Sequence, residues 1–206
     1  MSKNLFIALE GIDGSGKTTQ IPKIAAFLQE NGHKVYATAE PTRGPIGRMI
    51  RDIFAGKMEG DHRVIAALFA ADRLQHLLDE KDGLIRKLEE GYTVLTDRYY
   101  LSSYAYHGVH TDLDWVVESN RISKELLQPD VHIYIDMDPV VSMQRINATR
   151  PSAELYETEE NLRSVKNAYE IAISRIENQE KIARVNGNDS VDKVFKDVKK
   201  ILEQFM

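Results

Sequence analysis

The sequence predicts a three-layer α/β fold, an open parallel sheet of about five strands with helices on both faces. Three observations point there. Strand-like apolar runs alternate with helix-like segments along the chain. Those runs lack strict in–out alternation, as strands buried on both faces do. And the first strand, Leu5–Leu9 (LFIAL), runs directly into a glycine-rich turn that opens a helix.

That turn matches G-x-x-x-x-G-K-[ST] through Gly11, Gly16, Lys17 and Thr18, with Gly14 inside it. Glycine lets successive backbone N–H groups curl inward into a nest for phosphate oxygens at the start of a helix. The turn, with Ser15 inside the motif and Thr19 just after it, reads as a nucleotide-phosphate site. Lys17 is expected on the β- and γ-phosphates and the Thr18 hydroxyl on Mg²⁺. The bland alternative is an ordinary strand–helix turn, which leaves Lys17 and the glycine spacing without a reason.

The remaining elements follow in order. Ile21, Ile24, Ala25 and Leu28 share one helix face, stopped at Asn31-Gly32. KVYATAE reads as the second strand. Helices are expected over residues 46–55 and 61–78 and in DGLIRKLEEG, which leads into the strand YTVLT. LDWVVESNRISKELL reads as one helix ended by Pro129, with Trp115 as packing. VHIYID is a strand, and Asp138-Pro139 opens a helix. Residues 161–176 are helical, KIARVNG is the last strand, and residues 190–205 form an amphipathic closing helix. Residues 147–158 (NATRPSAELYET) have no such pattern and read equally as a lid or a passive loop.

A length of 206 residues suits a single domain over residues 1–206. A net charge of −5 argues against a general nucleic-acid grip. With no cysteine there is no disulfide and no thiolate metal site. No signal peptide or long apolar run is seen, so the expectation is a cytoplasmic protein with no membrane partner.

A phosphate loop alone does not choose between switch, motor and kinase. YTVLT runs into Asp97-Arg98, which places a carboxylate and a guanidinium at a strand carboxyl end, beside the loop. Asp97 there suits Mg²⁺ or the phosphoryl acceptor, and Arg98 suits an acceptor phosphate. The alternative is a salt-bridged surface turn.

GIDGSGKTTQ, AEPTRGPIG, LFAADRLQH and TDRYYLSSYAYHG, all within residues 10–108, resemble the successive motifs of the thymidylate kinases. The resemblance implies the P-loop kinase fold with a five-stranded parallel sheet and a short lid. It also implies transfer of the γ-phosphate of ATP to dTMP, dependence on Mg²⁺, and a homodimer. By the same resemblance Asp13 contacts the 3′-hydroxyl of dTMP, and Phe69 stacks on thymine while Arg73 bonds its O4 edge. Arg43 and Arg98 hold the acceptor phosphate. Ser102 and Ser103 stand near the base, and Tyr106 crowds a 2′-hydroxyl. His107 departs from the glutamine of many relatives. One subtype carries an arginine in the loop where this chain has Gly14. This chain resembles the other subtype, whose arginine comes from the lid, with Arg150 and Arg145 as candidates. Arg163 is expected to pair with Glu159 or Glu160. Two other readings stay open: a P-loop kinase of another nucleotide or deoxynucleoside, and a nucleotide-dependent switch or binding module.

Overall fold

The computed structural model describes residues 4–149, 156 and 158–206. The chain runs β1 (Phe6–Glu10), α1 (Lys17–Glu30), β2 (Lys34–Ala39), α2 (Pro45–Phe54), α3 (His62–Leu78), α4 (Leu84–Glu89) and β3 (Tyr92–Asp97). It continues α5 (Tyr100–Gly108), α6 (Leu113–Ser119), α7 (Arg121–Leu126), β4 (Val131–Asp136) and α8 (Pro139–Thr149). It ends with α9 (Glu159–Ile176), β5 (Ile182–Asn186) and α10 (Val191–Leu202).

The five strands form one parallel sheet in the order β2-β3-β1-β4-β5. β1 is central and buried along its whole length. Its side chains alternate between two cores. Phe6 and Ala8 pack with residues of α5 and α9 on one face. Ile7 and Leu9, with Leu5 just before the strand, pack with residues of α1 and α10 on the other. The strand order reverses between β1's two neighbours, and the ligand crevice of such a sheet opens at the carboxyl ends there.

Two expectations are corrected. The sequence reading assigns no helix to residues 100–108, yet α5 stands there, buried on every side from Tyr100 to His107. A helix without a solvent face has no amphipathic period to detect. The single helix expected over LDWVVESNRISKELL is two short ones that meet at Asn120 and end by Leu127, short of Pro129. Asn120 is 1% exposed. Its amide donates to Val116 O at 2.8 Å and its carbonyl accepts from Arg73, so the break serves a tertiary contact. Arg163 pairs with Glu159 at 2.7 Å.

Candidate active site

A cavity of about 840 Å³ opens at the carboxyl ends of β1 and β3 and extends to α3 and α5. The loop after β1 forms one wall. Gly11, Gly14 and Gly16 have φ of 144°, 75° and 94°, values that only glycine adopts without strain. A β-carbon on Gly14 would also come within 2.7 Å of the Ser142 backbone oxygen on α8, so this loop has no room for a side chain there. Lys17 begins α1, and its ammonium folds back to donate to the Gly11 and Ile12 carbonyls, each at 3.0 Å. Burial lowers the Lys17 ammonium to about 8, aided by the Arg98 charge and opposed by the carboxylates of Asp97, Asp13 and Glu10. An anion arriving in the loop would favour the charged form and raise it again.

Thr18 and Asp97 meet across the sheet end, the Thr18 hydroxyl donating to Asp97 Oδ2 at 2.9 Å. Asp97 Oδ1 is buried with no hydrogen-bond partner among the described residues. A hydroxyl and an unspent carboxylate oxygen beside a phosphate nest form an all-oxygen donor set, which suits Mg²⁺ held with phosphate and water.

Arg98 follows Asp97 and is the only described non-glycine residue with a positive φ, at 73°. Left-handed backbone at such a residue costs on the order of 1–2 kcal/mol. Here it turns the guanidinium back over the loop. Arg98 Nη2 pairs with Asp13 Oδ1 at 2.5 Å, and Nη1 donates to Gly11 O and to Ser102 Oγ, each at 3.1 Å. Burial alone would raise the Asp13 carboxyl, but the Arg98 and Lys17 charges and the Tyr106 hydroxyl bring it below its ordinary value. Tyr106 donates to Asp13 Oδ2 at 2.9 Å and accepts from the Asp13 backbone N–H at 2.8 Å.

Phe69 and Arg73 lie one turn apart on α3, and both line the cavity. Phe69 also packs with Ile50, Ile53 and Ile65, so one ring closes a small core and faces the cavity. Arg73 is 1% exposed. Its Nε donates to Glu40 at 2.8 Å, Nη2 pairs with the same carboxylate at 2.6 Å, and Nη1 donates to Ser103 at 3.0 Å and to Asn120. Of the five guanidinium N–H groups, one on Nη2 has no partner among the described residues. That N–H is the only one Arg73 has left for a ligand.

The cavity thus brings together Asp13, Gly14, Gly16, Lys17, Thr18 and Thr19 with Asp97, Arg98, Phe69, Arg73, Ser102, Ser103, Tyr106 and Arg145. The Ser102 and Ser103 hydroxyls, expected near a base, are engaged with Arg98 and Arg73. Arg43 is exposed and is not among the lining residues, since its loop turns it to solvent before α2. Arg51 on α2 does line the cavity, its Nη1 donating to Pro41 O and Thr42 O at 3.1 and 2.5 Å. Nothing in the sequence separates Arg51 from Arg48 on the same helix. Glu40 and Asn120, which lock Arg73, are also missed, because their partner lies 33 and 47 residues away. Arg145 stands beside the loop, its Nη1 3.9 Å from where a Gly16 β-carbon would sit. Arg150 lies outside the described residues, as does most of the 147–158 segment. His107 is buried against Phe69, with ring centres 4.9 Å apart, and burial lowers its imidazole to about 3.

A family model described as thymidylate kinase matches residues 9–198. A thymidylate kinase of Caldicellulosiruptor saccharolyticus is 35% identical, covering 99% of this chain and 98% of that one. A probable thymidylate kinase of Pyrobaculum calidifontis is 39% identical, covering 98% and 97% respectively. A thymidylate kinase of Clostridium novyi is 35% identical, covering 98% and 100%.

Proposed function

The chain belongs to the thymidylate kinase family and uses ATP and Mg²⁺ to phosphorylate dTMP to dTDP, and on that premise we propose how its side chains divide the work. One observation supports the division: a single cavity joins the phosphate loop to the Phe69–Arg73 wall, with Asp97 and Arg98 between them.

In this reading the Gly11–Thr19 loop holds the ATP phosphates, and Lys17 leaves its carbonyl partners to reach them. Mg²⁺ supplies charge neutralisation on the phosphate oxygens. Thr18 and Asp97 are the residues to hold it. Arg98 grips the acceptor phosphate, and Asp13 receives the sugar 3′-hydroxyl. Phe69 stacks the thymine, and the remaining Arg73 N–H donates to O4. A cytosine would present an amino group to that donor and lose the bond. Arg145 and Arg150 meet the charge on the transferring group, with residues 147–158 as the lid of one domain spanning residues 1–206. Arg51 replaces Arg43 as the second cation on the acceptor side. A homodimer and a cytoplasmic location complete the proposal, and sedimentation of the purified protein tests the first.

The acceptor half of this reading is tested at Arg73. Arg73→Ala would strand the buried Glu40 charge, at a cost of about 3–5 kcal/mol in stability. Arg73→Lys keeps a cation there but loses the forked donor. It is expected to raise KM for dTMP roughly ten- to a hundredfold while KM for ATP stays within about threefold. Equal rises in both constants would reassign Arg73 to structure alone.

Sugar choice is tested at Tyr106. Tyr106→Phe is expected to keep the preference for dTMP over ribothymidine monophosphate, because the ring remains. It should weaken dTMP binding, because the hydroxyl bonds to Asp13 are lost. Tyr106→Ala is expected to relax the preference. The ratio of kcat/KM values for the two acceptors measures it, and an unchanged ratio in the alanine variant contradicts the steric account.

A further inference from the structure

One fully buried carboxylate beside the site has no part in the scheme above. Glu10 ends β1 at 0% exposure. Its Oε1 accepts the Tyr99 backbone N–H at 3.0 Å. Its Oε2 accepts the Ser102 hydroxyl at 2.5 Å and the Tyr169 hydroxyl at 3.3 Å. With its proton committed to Glu10, the Ser102 oxygen offers its lone pairs to Arg98 Nη1 at 3.1 Å. A directed chain therefore runs from Glu10 through Ser102 to Arg98.

Glu10 also holds the backbone of the same turn. The Arg98 N–H donates to Leu9 O at 2.9 Å, and the next N–H, of Tyr99, donates to Glu10. The last two residues of β1 thus pin both peptide N–H groups around the left-handed Arg98. Behind Glu10 a second buried carboxylate, Glu180, lies on the far side of the buried His132. His132 Nε2 lies 2.9 Å from Glu180 and its Nδ1 lies 3.9 Å from Glu10, and Lys124 pairs with Glu180 at 2.7 Å. Burial opposes a charge on the His132 ring, but the carboxylates of Glu10 and Glu180 raise it above its ordinary value.

We propose that Glu10 is a positioning residue for the acceptor: acting through Ser102 and the Tyr99 backbone, it holds the Arg98 guanidinium in the pose that grips the acceptor phosphate. The proposal rests on the reading of Arg98 as the acceptor-phosphate ligand. A carboxylate that only satisfied buried donors would affect stability and both substrates alike. A positioning role affects one substrate.

The test compares wild type, Glu10→Gln, Ser102→Ala, Ser102→Thr and the Glu10→Gln/Ser102→Ala double variant by steady-state titration of dTMP and ATP, with thermal melting of each. Glu10→Gln is expected to raise KM for dTMP roughly ten- to a hundredfold with KM for ATP within about threefold. Ser102→Ala should show the same split, about fivefold or more for dTMP, and Ser102→Thr, which keeps the hydroxyl, should recover most of it. The double variant should be little worse than Glu10→Gln, because both changes cut one chain. An unchanged KM for dTMP in both single variants, or parallel rises in both KM values, overturns the proposal. If Glu10→Gln does not fold, Ser102→Ala decides by the same split, since it leaves the buried charges in place. Arg98→Lys separates the two layers: an unaltered KM for dTMP there would remove the underlying reading of Arg98, whereas a raised one with silent Glu10 and Ser102 variants removes only this inference.

Discussion

Lys17→Ala is expected to lower kcat by on the order of 10³ and to weaken ATP binding, with the fold retained. The ammonium contacts the Gly11 and Ile12 carbonyls, Ser15 Oγ and the space above the loop, and belongs to no packed core cluster. Single-turnover phosphorylation and the circular dichroism spectrum together check it. A folded variant with wild-type turnover would sink the assignment of the phosphate loop. The same residue predicts a pH effect. The lysine stands at about 8 before nucleotide binds, lowered first by burial. Its charge is full below that pH and is lost as the pH rises through it. ATP affinity should therefore fall as pH rises through 8, and binding near that pH should take up a proton, because the phosphates favour the charged form. Calorimetry in two buffers of different ionisation enthalpy reads the uptake, and Lys17→Ala should abolish it.

The second large effect is expected at the arginines on the lid side. Arg145→Ala should lower kcat by on the order of 10³ with much smaller changes in both KM values, as for a charge felt mainly in the transition state. The motivation is twofold. Gly14 has no room for the arginine that another arrangement would place in the loop, and Arg145 borders the loop at Gly16. Arg150→Ala and the double variant separate the two candidates at saturating ATP and dTMP. A kcat within about threefold of wild type for Arg145→Ala, beside a crippled Arg150→Ala, would assign the role to Arg150. If both single variants and the double keep kcat near wild type, the charge is met by Lys17, Mg²⁺ and Arg98.

The legible parts of this molecule are those whose cause is local. Gly11, Gly14 and Gly16 adopt backbone angles that their own chemistry requires, so the loop is readable from a short stretch of chain. The inner strands β1, β3 and β4 are readable because each is a short, largely apolar and buried run, whereas the edge strands β2 and β5 carry charged and polar residues and are mostly half-buried or exposed. The α5 helix is not, because Tyr100–His107 are all buried and carry no period. The lock on Arg73 is likewise invisible, since Glu40, Ser103 and Asn120 come from three separate parts of the chain and meet only when the sheet is assembled. Arg43 and Arg51 differ by where the α2 entry points each side chain, which local sequence does not encode. Glu10 is hidden for a similar reason: next to the glycine motif it reads as the polar end of a strand, and its contacts with Ser102 and Tyr169 lie 92 and 159 residues away.

The central claim is that one cavity serves both ATP phosphates and a thymine deoxynucleotide. ADP release by the wild-type protein with Mg²⁺ and ATP, followed with dTMP, dUMP, dCMP, dGMP or AMP as acceptor, tests it most directly. The account predicts turnover that requires an acceptor, with dTMP giving the highest kcat/KM and dCMP strongly disfavoured by the Arg73 donor. ATP hydrolysis indifferent to every acceptor, or a higher kcat/KM for any other monophosphate than for dTMP, would contradict it.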